Sequence, residues 1–269
     1  MSRLDSLREL IDRLHPATLL YSTYEHRLTA ELDPVALPQH VAVLADGNRR
    51  WARANAPGQP LVTGYRAGAG KLKEFVEWCD ELGIPIVTLW VLSTDNLRRA
   101  VSEELEPLLE VIADLVEGMA ATGRWRVQPV GALDLLPCPV AERLRAVERA
   151  TADSDGMHIN VAVSYGGRHE LRDAVRDLLR EKAAEGRTIQ DVAETLDIDE
   201  IGEHLYTAGQ PDPDLIIRTS GEQRLSGFLM WQSAHSEFYF CEALWPDFRK
   251  VDFIRALRSY AQRERRYGR

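Results

Sequence analysis

Cysteine is scarce in this chain of 269 residues: only Cys79, Cys138 and Cys241 occur. Their number is odd, their spacing is wide and no C-x-x-C pair exists. Neither a disulfide framework nor a zinc knuckle is therefore indicated, and a reduced, cytoplasmic compartment is the expectation. Positive charge is also short. Lys and Arg total 33 against 42 Asp and Glu, a formal net charge of −9. A general nucleic-acid binder needs a basic face to displace phosphate counterions, so no nucleic-acid partner is expected. Long apolar runs are missing, and none approaches the ~18 residues of a membrane span. Met1–Leu14 carries charge where a signal peptide would be apolar, so no leader is expected.

Several chemical motifs are absent too. Gly64–Lys71 (GYRAGAGK) has the wrong glycine spacing for a P-loop and is followed by Leu72 rather than Ser or Thr. No G-x-G-x-x-G follows the first apolar run, and no G-x-S-x-G elbow occurs. His40, His158, His169, His204 and His235 lack zinc-ligand spacing and read as structural or surface histidines.

What is present is an ordinary apolar content of 45%, enough for a large core and too much for disorder. Leu4, Leu7, Leu10, Ile11 and Leu14 recur at helical spacing, with Arg mixed among Asp and Glu on the other face. This predicts an amphipathic helix packed on protein rather than a basic membrane-surface helix. From Gln39 the pattern alternates. Apolar runs at His40–Ala45, Ile84–Leu92, Trp125–Gly131, Met157–Val163, Leu215–Ile217 and Phe238–Phe240 predict strands. Helical periodicity over Gly70–Leu82, Leu105–Met119, Arg143–Ala152, Glu170–Lys182 and Asp252–Arg263 predicts the helices between and after them. The expected fold is α/β: one domain with a central parallel sheet of about six strands covered by helices.

In open parallel sheets ligands gather at the carboxyl ends of strands. Four such ends are polar here: Asp46–Arg50, Ser93–Arg99, Ser164–Arg168 and Arg218–Ser226. Arginine forks bind phosphate oxygens bidentately, and glycine lets backbone N–H groups approach an anion. Asp46 among the arginines repels phosphate unless a divalent cation lies between them, which points to Mg²⁺.

The run His40–Ala52 (HVAVLADGNRRWA) resembles the signature of cis-prenyltransferases, the undecaprenyl diphosphate synthase family. Leu92–Asn96, Asn160–Arg168, Ile217–Ser226 and Trp231–Phe240 agree in order and spacing, and Arg265–Gly268 is similar to the family's C-terminal R-x-G. The resemblance runs from about Leu37 onward. It implies a catalytic domain over 37–269 with residues 1–36 as an N-terminal helical extension, a homodimer, and an apolar tunnel beneath the diphosphate sites, for which Trp90, Val91, Leu92, Leu108, Leu109 and Ile112 are candidate lining or members of the core.

The implied reaction joins isopentenyl diphosphate to an allylic diphosphate through a Z double bond. Asp46 is the implied Mg²⁺-linked carboxylate, with Glu237 as a second ligand. Gly47, Asn48, Arg49, Arg50 and Trp51 would cradle the allylic diphosphate, and Arg218, Arg224 and Ser226 the isopentenyl diphosphate. Ser93 and Asn96 would position the departing proton. Arg99 occupies the family's arginine position in that loop, and Gly268 would approach the site across the dimer.

The chain departs from the family pattern at Arg49 (usually glycine), Leu61 (near a usual arginine), Tyr65 (usually histidine), Asp95 and Leu97 (usually Glu and Trp). Arg53 and Arg66 are candidate replacements for the lost phosphate contact. These changes resemble actinobacterial short-chain members that make Z,E-farnesyl diphosphate. Val91, where long-chain members carry alanine, would shorten the tunnel. Three alternatives stand beside this: irregular, lavandulyl-type condensation, a longer-chain product, and a non-catalytic isoprenoid-binding subunit. The last is disfavoured because Asp46, Arg50, Arg218 and Arg224 are all retained. An apolar product leaves peripheral association with the inner face of the plasma membrane open.

Overall fold

Short runs rich in Val, Ile and Leu become the strands of one parallel sheet. In chain order they are β1 (His40–Leu44), β2 (Ile86–Trp90), β3 (Arg126–Val130), β4 (His158–Ala162), β5 (Leu215–Arg218) and β6 (Glu237–Phe240). The order across the sheet is β3-β4-β2-β1-β5-β6, and every pairing is parallel. The six-stranded α/β sheet domain expected from the sequence is the one observed. This computed structural model describes Leu28, Thr29 and residues 32–99 and 102–263, without the side chains of Arg98, Arg99, Ser102 and Glu103. The helix expected over Leu4–Leu14 and the Arg265–Gly268 motif lie outside the described residues.

The connecting helices are α1 (Asn48–Asn55), α2 (Val62–Glu81), α3 (Thr94–Arg99), α4 (Ser102–Ala120), α5 (Cys138–Thr151), α6 (Gly167–Ala184), α7 (Ile189–Thr195) and α8 (Ile198–Gly202). α9 (Lys250–Gln262) follows the last strand. α2 begins eight residues before the Gly70 start that periodicity suggested. Gly64 and Gly68 weaken the helical signal there, yet packing requires them. A Cβ on Gly64 would stand 2.2 Å from the Asn48 carbonyl oxygen, and one on Gly68 2.3 Å from Asn48 Oδ1. The rejected phosphate-loop look-alike is thus the face of α2 that admits α1. α7 and α8, for which no helix was expected, start on capping boxes at Thr188–Asp191 and Asp197–Glu200.

Contacts group Pro38–Phe248 into one unit, which holds the whole sheet, and residues 1–37 with 249–269 into another. Within the second, Leu28, Val251 and Ile254 form a small buried cluster with Leu32 packed against it. Within the first, Val41, Val43, Val87, Leu89, Ile159 and Val161 supply one fully buried sheet face. As i, i+2 neighbours they share that face.

The opposite face is divided along the strands. Toward the amino ends it is polar. His40 Nε2 is 2.8 Å from Thr88 Oγ1, which accepts from Asn160 Nδ2 at 3.0 Å. Asn160 Nδ2 also donates to Gln210 Oε1 at 2.6 Å, and His158 Nε2 meets Gln128 Oε1 at 2.8 Å. Toward the carboxyl ends it is apolar and aromatic: Leu44, Val130, Ala162, Tyr165, Phe228 and Leu229, with Trp90 packed against them.

Candidate active site

Where the strands end, the chain turns from packing to polar chemistry. After β1, Asp46 N–H donates to Thr219 Oγ1 at 3.0 Å, and that hydroxyl donates to the Asp46 carbonyl at 2.8 Å. The loops after β1 and β5 are therefore tied together. Gly47 takes φ +112° to turn into α1, a conformation that L side chains rarely adopt. The Asp46 carboxylate accepts from Arg218 Nη2 at 3.0 Å, with Arg50 Nη2 at 3.7 Å. Arg218 is buried, whereas the Asp46 side chain is 41% exposed and free to face a ligand.

The loop after β5 is bent around Arg218. Nη1 of Arg218 donates to Ser226 Oγ at 3.1 Å and to the Arg224 carbonyl, and Arg224 pairs with Glu222. Ser220, Ser226 and Leu229 all adopt positive φ, at 78°, 52° and 43°. Non-glycine residues in that region carry about 1 kcal/mol or more of strain each, and such residues cluster at ligand clamps. A buried network supports the loop from below. Tyr165 Oη accepts from Leu229 N–H at 3.1 Å and donates to the Glu170 carboxylate. Glu170 also accepts from Gln232 Nε2 at 3.0 Å and from Tyr206 N–H at 3.1 Å. Burial raises the Glu170 pKa and these three donors oppose the rise.

Two cavities open at this edge. The larger, about 540 Å³, has polar lining from Asp46, Gly47, Asn48, Arg49, Arg50 and Arg53. Its apolar lining comes from Gly68, Ala69 and Leu72 on α2 and from Leu108, Val111, Ile112 and Leu115 on α4. The smaller, about 420 Å³, is lined by Ser93, Asp95, Asn96, Arg218, Arg224 and Ser226, with Trp90. Asp46, Arg49, Val91, Leu92 and Asn96 line both, so the cavities meet at the aspartate. Ser93 Oγ accepts from Asn96 N–H at 3.0 Å at the start of α3.

Most residues singled out from the sequence are gathered here, and a few are not. Trp51 lines neither cavity; its indole N–H donates to Asp247 Oδ1 at 2.7 Å. Glu237 opens β6 in register with Leu215, three residues before the level of Arg218. At the rise of a parallel strand this is ~10 Å toward the amino end of the sheet. Within one chain Glu237 is therefore not brought beside Asp46, the other expected metal ligand. The Arg99 side chain lies outside the described residues.

Of the six tunnel-or-core candidates, Val91, Leu92, Leu108 and Ile112 line the larger cavity and Trp90 the smaller. Leu109 is core. Arg53 lines the larger cavity, as does Tyr65, whose hydroxyl pKa is raised by burial against the pull of Arg49. Sequence reading did not single out Glu104, 3.9 Å from Arg49, or the lining roles of Val111 and Leu115. For Leu115 the signal was its place in the α4 stripe, which packing in a core would produce equally.

Among the described residues no group of three or more His, Cys, Asp or Glu side chains stands ready for a metal ion. One half-exposed carboxylate among arginines fits Mg²⁺ in the manner it commonly binds: one protein carboxylate, with substrate phosphate oxygens and water completing the shell. The arrangement as a whole can hold two anionic groups near one carboxylate, with an apolar chain running from the larger cavity between α2 and α4.

The sequence comparisons agree with this geometry. Residues 44–268 match the model of the prenyltransferase family described as undecaprenyl diphosphate synthase. The (2Z,6E)-farnesyl diphosphate synthase of Thermobifida fusca is 59% identical over 249 residues, 93% of this chain and 97% of that protein. Isoprenyl transferase 1 of Streptomyces avermitilis is 53% identical over 268 residues, the full length of both. The crystal structure of lavandulyl diphosphate synthase from Lavandula x intermedia, in complex with dimethylallyl diphosphate, superimposes with a TM-score of 0.78 at 31% identity. It covers 86% of this chain and 98% of that one. The chain belongs to the undecaprenyl diphosphate synthase family of prenyltransferases.

Proposed function

We propose that this chain is a short-chain Z-prenyl diphosphate synthase that joins isopentenyl diphosphate to geranyl or dimethylallyl diphosphate, with (2Z,6E)-farnesyl diphosphate as the main product. The observation that carries this reading is the pair of cavities meeting at Asp46, both lined by arginines and the larger one with an apolar wall. The naming of relatives at 53% and 59% identity supports it.

Gly47, Asn48, Arg49 and Arg50 hold the allylic diphosphate, and Arg218, Arg224 and Ser226 hold the isopentenyl diphosphate. Arg99 contributes a further positive charge to diphosphate binding. Arginines placed where the leaving diphosphate gains charge stabilise its departure. Mg²⁺, held by Asp46 and diphosphate oxygens, supplies further charge neutralisation when bound. The C1–O bond of the allylic substrate breaks, its C1 bonds to C4 of isopentenyl diphosphate, and a proton leaves C2. Ser93 and Asn96 orient the group that takes that proton. Leu72, Leu108, Val111 and Ile112 keep water from the allylic cation.

The enzyme acts as a homodimer of 37–269 catalytic domains, each preceded by an N-terminal extension of residues 1–36. It works in the cytoplasm. No helix among the described residues is long and apolar enough to cross a membrane. The apolar product is consistent with peripheral contact at the inner face of the plasma membrane.

Product chromatography with radiolabelled isopentenyl diphosphate and each primer tests the reading. A single Z-configured C15 product is expected, and a ladder of long polyprenyl products overturns it. The likeness to a lavandulyl diphosphate synthase favours a second reading, irregular condensation. Dimethylallyl diphosphate supplied alone separates the two, because only irregular condensation turns it over.

A further inference from the structure

α1 carries the turn assigned above to the allylic diphosphate, and beyond its docking on Gly64 and Gly68 of α2 it buries little of its own. It is eight residues long, shorter than a helix that persists unaided, and its only buried residue is Ala52. The segment Leu244–Asp247 holds it from behind. Trp245 N–H donates to the Asp46 carbonyl at 2.9 Å, and its indole N–H donates to the Gly68 carbonyl on α2 at 2.9 Å. Leu244 lies so close to Gly47 that a Cβ there would stand 2.9 Å from Leu244 Cδ2. Asp247 Oδ1 accepts from Trp51 Nε1 on α1 at 2.7 Å.

The segment is itself firmly seated. Trp245 is fully buried, edge-on to Phe75 with ring centres 5.7 Å apart and stacked on Phe248 at 5.4 Å. Asp247 N–H closes back onto the Leu244 carbonyl at 2.9 Å. An exposed carboxylate at the edge of this seated segment thus adds to the α2 docking face one charge-assisted bond on α1, the stronger kind of hydrogen bond.

We infer that Asp247 and Trp51 are a pair of positioning residues. Asp247 sets the angle of α1, and hence of Gly47–Arg50, through the Trp51 indole N–H. This rests on the proposed assignment of that turn to the allylic diphosphate.

Steady-state kinetics of the full chain with geranyl diphosphate, together with amide hydrogen exchange over residues 47–52, test it. Asp247→Ala and Trp51→Phe, which keeps the ring and loses the N–H, should each raise KM for geranyl diphosphate about 5- to 10-fold, as loss of one hydrogen bond does. kcat and the KM for isopentenyl diphosphate should stay within about 2-fold. Asp247→Asn keeps an acceptor oxygen and should rescue binding. The double variant should be no worse than either single one, because the two residues act through one bond. Exchange over 47–52 should quicken in Asp247→Ala.

Effects that multiply in the double variant, or a silent Asp247→Ala, overturn the inference; so does unchanged exchange. If Asp247→Ala does not fold, Trp51→Phe decides on the same two readouts. Arg50→Ala is the separate control. If it leaves the KM for geranyl diphosphate unmoved, the assignment of the turn fails, while exchange over 47–52 still judges the pair.

Discussion

The two ends of one sheet face use polar residues in opposite ways. At the amino end, His40, Thr88, Asn160, Gln210, His158 and Gln128 satisfy one another, in a region where Thr88 and Asn160 are fully buried. His40 Nδ1 also donates to the Pro211 carbonyl, 2.8 Å away. At the carboxyl end, Arg218 Nε, Asn48 Oδ1 and Ser220 Oγ are buried without hydrogen-bond partners. Ser220 and Ser226 there hold left-handed backbone. Buried polar groups are normally paired, so unpaired ones beside strained backbone mark a place built for something other than stability. The amino end stabilises and specifies the sheet; the carboxyl end leaves bonding capacity over for a ligand.

This contrast makes opposite demands on mutation. The largest effect is expected at the carboxyl end. Asp46→Ala should cut turnover by roughly 10²–10³-fold or more, the usual scale for removing a group that stabilises developing charge. Far-UV circular dichroism should be unchanged. Turnover that survives intact would break the proposed mechanism.

At the amino end the sign of the argument reverses. Thr88→Val removes the hydroxyl shared by His40 and Asn160. It should cost about 2–3 kcal/mol, since two buried groups lose a partner. The specific activity of the folded protein should stay within about 2-fold. Thermal unfolding and activity assays on one sample read both.

Acid sharpens the same point. Burial lowers the His40 pKa from 6.5 to about 4, against the pull of the Pro211 hydrogen bond and Asp214. Native His40 is therefore neutral where the unfolded chain's histidine takes a proton. Stability is full above pH 6.5 and falls as the pH drops toward 4, by about 3 kcal/mol from this group. His40→Gln should flatten that slope in urea titrations run between pH 7 and pH 4. An unchanged slope would remove His40 from the account.

The smallest stability effect is expected at the junction of the two cavities. Val91→Ala should cost about 1 kcal/mol while lengthening the products. An unchanged product distribution would rule out Val91 as the stop.

Much of this molecule was readable before its fold was known, for identifiable reasons. β1 and β2 are buried on both sides and so appear as nearly unbroken apolar runs. Gly83, at φ +71° after α2, sits where a helix-ending glycine belongs. The polar loops after β1, β2 and β5 could be read because parallel sheets place ligands at strand ends. α1 was not read as a helix, because a polar eight-residue segment with one buried residue has no stripe to detect. The surroundings of Trp51 and Glu237 could not be read, because a motif records which residues occur together and not which way they face. Trp51 turns to Asp247, and the register of β6 sets Glu237 at the other end of the sheet.

Local pattern by itself determined the strands, most of the helices and the clustering of arginine and glycine at strand ends, since hydrophobic period and turn chemistry act over a few residues. Tertiary structure alone decided three things. It made Gly64 and Gly68 a docking face for α1 rather than a phosphate loop. It turned the α4 stripe of Leu108, Ile112 and Leu115 into a cavity wall. It separated a self-satisfied amino end from an unsatisfied carboxyl end. Each depends on contacts between segments far apart in the chain, and no local rule of spacing carries that information.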